Sequence, residues 1–191
     1  LGSAGADAIT LVSDAGPTNI TAGAGVTTTN IQTTSAPTTI VTTAGGTNTI
    51  TVSNAGNVDS IAGLLTIPGN GADILLVNDS ASSNAKNPTL TAIALKNLSP
   101  AEIDYTGLTS LTINLGAAID DMTIADTGAV TTVNTGAAGD TVQIENDSNS
   151  TTVNISAAGN TIDVLGTNAA TKINSAIGAT DAILVGDSGS V

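Results

Sequence analysis

"TTVNTGAAGDTVQIENDSNS", residues 131–150, is followed directly by "TTVNISAAGNTIDVLGTNAA", residues 151–170. Two flanking rows, "LTINLGAAIDDMTIADTGAV" from 111 and "TKINSAIGATDAILVGDSGS" from 171, superpose on them without a gap. Column three then reads Ile113, Val133, Val153, Ile173; column four reads Asn114, Asn134, Asn154, Asn174; column fourteen reads Ile124, Ile144, Val164, Leu184. Within each row the apolar residues alternate, as in Thr131-Thr132-Val133-Asn134 and Val142-Gln143-Ile144-Glu145. Alternation predicts two short strands per row, separated by Gly/Ala-rich and Asp/Ser/Asn-rich turns. One such unit cannot bury its apolar face alone, whereas copies stacked about 4.8 Å apart line those faces into one core. The pattern predicts an all-β fold, a parallel β-solenoid (β-helix) with roughly 20 residues per coil.

The same beat runs more loosely toward the N-terminus. Pro17 and Pro37 precede rows, Ile20 and Ile40 fall in column three, and "IVTTAGGTNTITVSNAGN" repeats the strand pattern with a one-residue slip. "LLTIPGNGADILLVNDS", 64–80, is a further strand pair. The stretch from Ala81 to Ser110 breaks register but retains the strand-like pieces "TLTAIAL" and "LTSLTIN", with a bulging loop expected around "ASSNAKNP". A length of 191 residues gives room for about nine coils in one elongated domain, 1–191, with the irregular segment at about 81–110.

Composition narrows the functions available. Aromatic residues make up 1% of the chain and charged residues 10%, so the core has to be aliphatic. The net charge is −13, with three Lys and no Arg, which repels nucleic acid. No apolar run is long enough for a membrane span. Without His, Cys or Arg, Ser-His and Cys-His nucleophilic catalysis cannot be assembled, and a single Tyr, Tyr105, cannot line a sugar-binding groove. A non-enzymatic role is expected, with packing or capping the default for Tyr105. The opening "LGSAGADAIT" has neither Met nor a basic leader, and reads as a mature or internal fragment.

Three phrases carry a resemblance: "TTVNTGAAGDTVQIEN", "PTLTAIALKNLSPAEIDYTGLTSLTINLGAAIDDMTIADTGA" and "LLTIPGNGADILLVNDS". In wording and order they resemble the repeats of very large secreted or surface-anchored bacterial β-solenoid proteins, which are distantly similar to the calcium-binding RTX repeats. The resemblance covers most of the chain from Thr18 onward. It implies an extracellular or cell-surface location and a structural or adhesive role.

Calcium turns of the RTX kind need Gly for backbone curvature and Asp for ligation. The corresponding turns here, "GAAIDD", "GAAGDT", "SAAGNT" and "IGATDA", replace both in part with Ala, Asn and Thr. Asp73, Asp120, Asp121, Asp140 and Asp181 are the metal candidates, with calcium the ion. The competing reading, which we favour, is that Asp and Asn cap their own turns. Glu145, Asp147 and Asp126 form a second acidic group, read chiefly as solvated turns.

The Asn column reads as an amide ladder, and the neighbouring Thr112, Thr132 and Thr152, interrupted by Lys172, as either ordinary strand residues or an ice-binding row. Sequons stand at Asn19, Asn78, Asn97, Asn146, Asn149 and Asn154, so surface glycans are possible, at Asn146 or Asn149 on a solvent-facing turn.

Two functions follow as expectations. One is a structural module of an extracellular surface protein, filament or adhesin; the other is a module that recognises a repeating surface, ice or polysaccharide, through a flat Thr/Asn face. Because "LGSAGADAITLVSDAG" and "IGATDAILVGDSGSV" are the same piece of a coil in the same phase, head-to-tail association of copies, or continuation in a longer chain, is expected.

Overall fold

A computed structural model describes residues 5–43, 46–136, 139–175 and 180–186. The outermost residues of both end pieces just quoted, and parts of the turns "GAAGDT" and "IGATDA", lie outside the described residues. Among the described residues there is no helix. Sixteen strands form a mostly parallel, solenoid-like sheet. They are β1 (Asp7–Leu11), β2 (Thr18–Ala22), β3 (Thr27–Ile31), β4 (Thr38–Thr42), β5 (Thr49–Val52), β6 (Leu65–Asn78), β7 (Thr89–Leu90) and β8 (Ala94–Lys96). Then come β9 (Ile103–Asn114), β10 (Asp121–Ile124), β11 (Val130–Asn134), β12 (Thr141–Ile144), β13 (Thr151–Ile155), β14 (Thr161–Val164), β15 (Thr171–Ser175) and β16 (Ala182–Val185).

Strand pairing resolves into three parallel ladders. The first runs β1-β3-β5-β6-β9-β11-β13-β15 through the C-terminal parts of β6 and β9. Its inward column is Leu11, Ile31, Val52, Val77, Ile113, Val133, Val153 and Ile173, one branched aliphatic per rung. β-Branched side chains suit this stacking because their restricted rotamers already fit a pleated surface. The second ladder, β2-β4-β6-β9, uses the N-terminal parts of β6 and β9. The third is β7-β10-β12-β14-β16.

The second and third ladders are joined by a reversal. β8 pairs antiparallel with both β9 and β7, so the spatial order is β6-β9-β8-β7-β10 although β9 comes last of β6 to β9 in the chain. The turn that reverses the chain is closed by the Thr91 N–H donating to the Ala94 carbonyl at 2.9 Å and by the Ala94 N–H donating to Thr91 Oγ1 at 3.0 Å. Residues 81–110 depart from the repeat in this way while burying Leu90, Leu95, Leu98, Ile103 and Tyr105. The Tyr105 hydroxyl, pushed up in pKa by burial, donates to the Thr91 carbonyl at 2.7 Å.

The last described rung corrects one column. Val164 pairs with Val185 and Asp163 with Leu184, so column fourteen ends on Val185. The step from β14 to β16 is one residue longer than the steps before it, and in a strand a one-residue slip moves a side chain to the opposite face.

Candidate functional site

Asp120, Asp140 and Asp181 each stand immediately before a strand, as do Asn48 and Asn160, and Asp73 stands inside β6 at the register shift that precedes its C-terminal part. In every case the side-chain oxygen accepts the backbone N–H of the equivalent residue one coil earlier. Asn48 Oδ1 accepts Thr27 N–H at 2.9 Å, and Asp73 Oδ1 accepts Asn48 N–H at 3.3 Å. In the other column Asp120 Oδ1 accepts Lys86 N–H at 2.8 Å, Asp140 Oδ1 accepts Asp120 N–H at 2.9 Å, and Asn160 Oδ1 accepts Asp140 N–H at 2.9 Å. Asp181 Oδ1 closes that column on Asn160 N–H at 3.1 Å. Thr27 is the first residue of β3 and the other donors lie at or between strand ends, and in each case the carboxylate or amide of the next coil extends the ladder by one bond.

The second oxygen of each Asp is also engaged. Asp120 Oδ2 accepts Gly116 N–H at 3.0 Å and Asp140 Oδ2 accepts Gly136 N–H at 2.7 Å, closing their own turns. Asp73 Oδ2 takes Asn70 N–H at 3.0 Å and the Thr42 hydroxyl. Asp181 Oδ2 takes the Ser175 hydroxyl at 2.6 Å, which together with the Asn160 amides holds its carboxyl below the usual range. Burial pushes Asp140 upward, partly offset by the N–H groups of Asp120 and Gly136. Asp121 is different: it is the first residue of β10 and is exposed. The fold therefore aligns four of the five metal candidates in one capping role and leaves Asp121 apart. Among the described residues no three acidic, His or Cys side chains converge as a metal site would require.

A related cap works in the opposite sense elsewhere. Asp147, fully buried, accepts the N–H groups of Asn168 at 2.9 Å and Ala169 at 3.1 Å and the Thr171 hydroxyl at 2.7 Å, all from the following coil. Asp14 does the same to Ser35, Ala36 and Thr38. Asp126 accepts Ser148 N–H at 2.9 Å and the Asn146 amide at 3.2 Å. Glu145 is exposed.

The Asn column forms an amide ladder. Asn134 donates to Asn114 Oδ1 at 2.6 Å, Asn154 to Asn134 and Asn174 to Asn154, both at 2.7 Å. Asn114 extends it to Asn78 at 3.0 Å across the irregular segment, a member hidden from a 20-residue reading. The amide nitrogens of Asn146, Asn149 and Asn154 are thus occupied in coil-to-coil bonds at their sequons. Thr112, Thr132 and Thr152 align on three successive rungs, with Leu76 on one side and Lys172 on the other.

The ladder junction also creates a feature the repeat does not announce. A cleft of about 790 Å³ lies against β6, β8 and β9, with Pro68, Ile93 and Ala94 as apolar lining and Glu102, Asp104 and Asp126 as acidic groups. Lys96 pairs with Glu102 at 3.1 Å. Burial and the adjacent Glu102 carboxyl raise the pKa of Asp104. The one sequence signal was the concentration of charge, Lys96, Glu102 and Asp104, in a chain otherwise poor in it. Against known proteins, no family model matches the chain, and neither a curated protein nor a solved structure is significantly similar.

Proposed function

We propose that this chain is a structural repeat module, a parallel β-solenoid of about nine coils, belonging to an extracellular surface protein, filament or adhesin and associating end to end. The observation that carries this reading is the last described rung. Among the described residues β16 pairs with β14 alone, and Ile183, Leu184 and Val185 are 47%, 52% and 77% exposed, whereas the residues facing the core in β12 and β14 are buried. An aliphatic rung with unpaired backbone groups is a template for a further strand. The resemblance to surface-protein repeats supports the location, and the module acts without catalysis. Sedimentation of the chain over rising concentration tests the proposal: growing species are expected, and Val185→Lys should reduce them to monomer by placing a charge in the joint. A monodisperse monomer at high concentration would overturn it.

Folding of this module is independent of calcium. Asp73, Asp120 and Asp140 each commit both carboxylate oxygens to hydrogen bonds that hold a turn, so an ion bound there has to compete with the caps. Thermal unfolding followed by circular dichroism is expected to give the same midpoint in chelator and in millimolar calcium; a chain that is unstructured in chelator and folds on adding calcium would refute this.

The second reading, recognition of ice or polysaccharide by the flat face, draws on the three-rung row Thr112, Thr132 and Thr152. The row is short, since Leu76 and Lys172 bound it.

A further inference from the structure

Lys86, Asp79 and Asp59 meet where the regular repeat stops, just after β6. Lys86 Nζ lies 2.5 Å from Asp59 Oδ1 and 2.8 Å from Asp79 Oδ2. The Lys86 side chain is 9% exposed, that of Asp59 36%, and that of Asp79 not at all. The two oxygens of Asp79 are unlike. Oδ1 accepts the Val58 N–H at 3.0 Å, whereas Oδ2 is buried and reached by no contact with the angles of a hydrogen bond, although Nζ is close.

We propose that Lys86 and Asp79 become joined by an intramolecular amide bond between Nζ and Cγ, formed by the folded chain itself. Each group has the chemistry its part requires. Desolvation raises the pKa of Asp79, so its buried carboxyl is drawn toward the neutral acid, the form that an amine can attack. Asp59 is held below the usual range, chiefly by its hydrogen bond from Lys86, and remains an anion able to accept a proton. It takes one proton from the Lys86 ammonium. The freed nitrogen lone pair attacks Asp79 Cγ, and the negative charge that develops on Oδ1 faces the Val58 N–H. The C–N bond forms, the C–Oδ2 bond breaks, and Oδ2 leaves as water with its own proton and one from the nitrogen. Asp59, the most exposed of the three, returns its proton to solvent. No oxidant or cofactor enters. Condensation also removes two ionisable groups from a site that solvates them poorly, Lys86 at 9% exposure and Asp79 at none.

The intact mass of the folded, full-length chain tests this. The expected mass is one water below that of the sequence, with trypsin failing to cut after Lys86 and the fragment spectrum joining residues 79 and 86. A succinimide at Asp79 has the same mass but leaves Lys86 cleavable, and that outcome refutes the amide. Lys86→Arg retains a cation beside both carboxylates and should restore the full sequence mass; a deficit that persists in this variant also refutes it. So does a wild-type chain with the circular dichroism of β-structure, the unaltered mass and normal cleavage after Lys86.

Discussion

Asp140→Ala is expected to lower the stability of the chain by about 2–4 kcal/mol, because it leaves two backbone donors without acceptors, the buried N–H of Asp120 at about 1–3 kcal/mol and the half-buried N–H of Gly136 at about 1 kcal/mol. Denaturant unfolding measures the loss. Asp140→Asn should cost far less. Asn160 occupies the equivalent place one coil on and offers its Oδ1 to the Asp140 N–H in the same way, so an amide at 140 keeps the bond to Asp120. The comparison also has a pH dependence of fixed sign. Burial raises the folded-state pKa of Asp140 above the ordinary aspartate range, so the folded chain binds the proton more tightly than the unfolded one. Wild-type stability from this group is therefore greatest below the unfolded pKa and declines as pH rises through the folded one. Asn does not titrate, so Asp140→Asn should gain on wild type as pH rises from the ordinary aspartate range through the raised folded-state pKa. An Ala variant as stable as the Asn variant would show that the column does not carry the turns.

Gly136→Ala should be comparably severe, with a loss of about 3 kcal/mol and a fall in midpoint of roughly 6–12 °C for a chain of this size. A Cβ built at Gly136 falls 1.4 Å from the Gly116 carbonyl oxygen and 2.6 Å from its carbon. The obstacle is backbone of the coil beneath, which cannot rotate aside as a side chain can, so the two coils must separate locally. Aligned rows suggest the opposite, because Ser156 fills the same column and is accommodated with its hydroxyl 2.7 Å from the carbonyl oxygens of both Thr135 and Gly136, between which its one proton is shared. Thermal unfolding decides between them: a change below about 1 kcal/mol at Gly136 would mean that the turn opens as readily as the one at Ser156.

These two residues mark what the sequence discloses and what it conceals. A fixed spacing reveals what is equivalent from coil to coil, which is why the aliphatic columns, the Asn ladder and the capping Asp residues were legible. It says nothing about approach distances, so Gly136 and Ser156 look interchangeable. It fails wherever a step lengthens, as between Val164 and Val185, where a 20-residue spacing places Leu184 on the wrong face. Nor does alternation distinguish a parallel strand from an antiparallel one: "TLTAIAL" was recognisable as strand material, but its reversal into β7 and β8 rests on the short turn at Thr91. The acidic cleft is hidden in the sequence for the same reason, since β8 and β9 come to lie side by side only in the fold.

The insertion of β9 between β6 and β8 has a consequence for how the chain acquires its shape. Coils on either side can be wound one after another as the polypeptide emerges, each resting on the one already in place. At β7 that vectorial order fails. The neighbours of β7 are β8 and β10, and β8 in turn needs β9, so residues 89–96 have no finished edge to dock on until the chain as far as 106 is present. A ribosome releasing this protein therefore holds a half-built array with an open edge at β6, and closes it in one concerted event rather than by a further turn of the spiral.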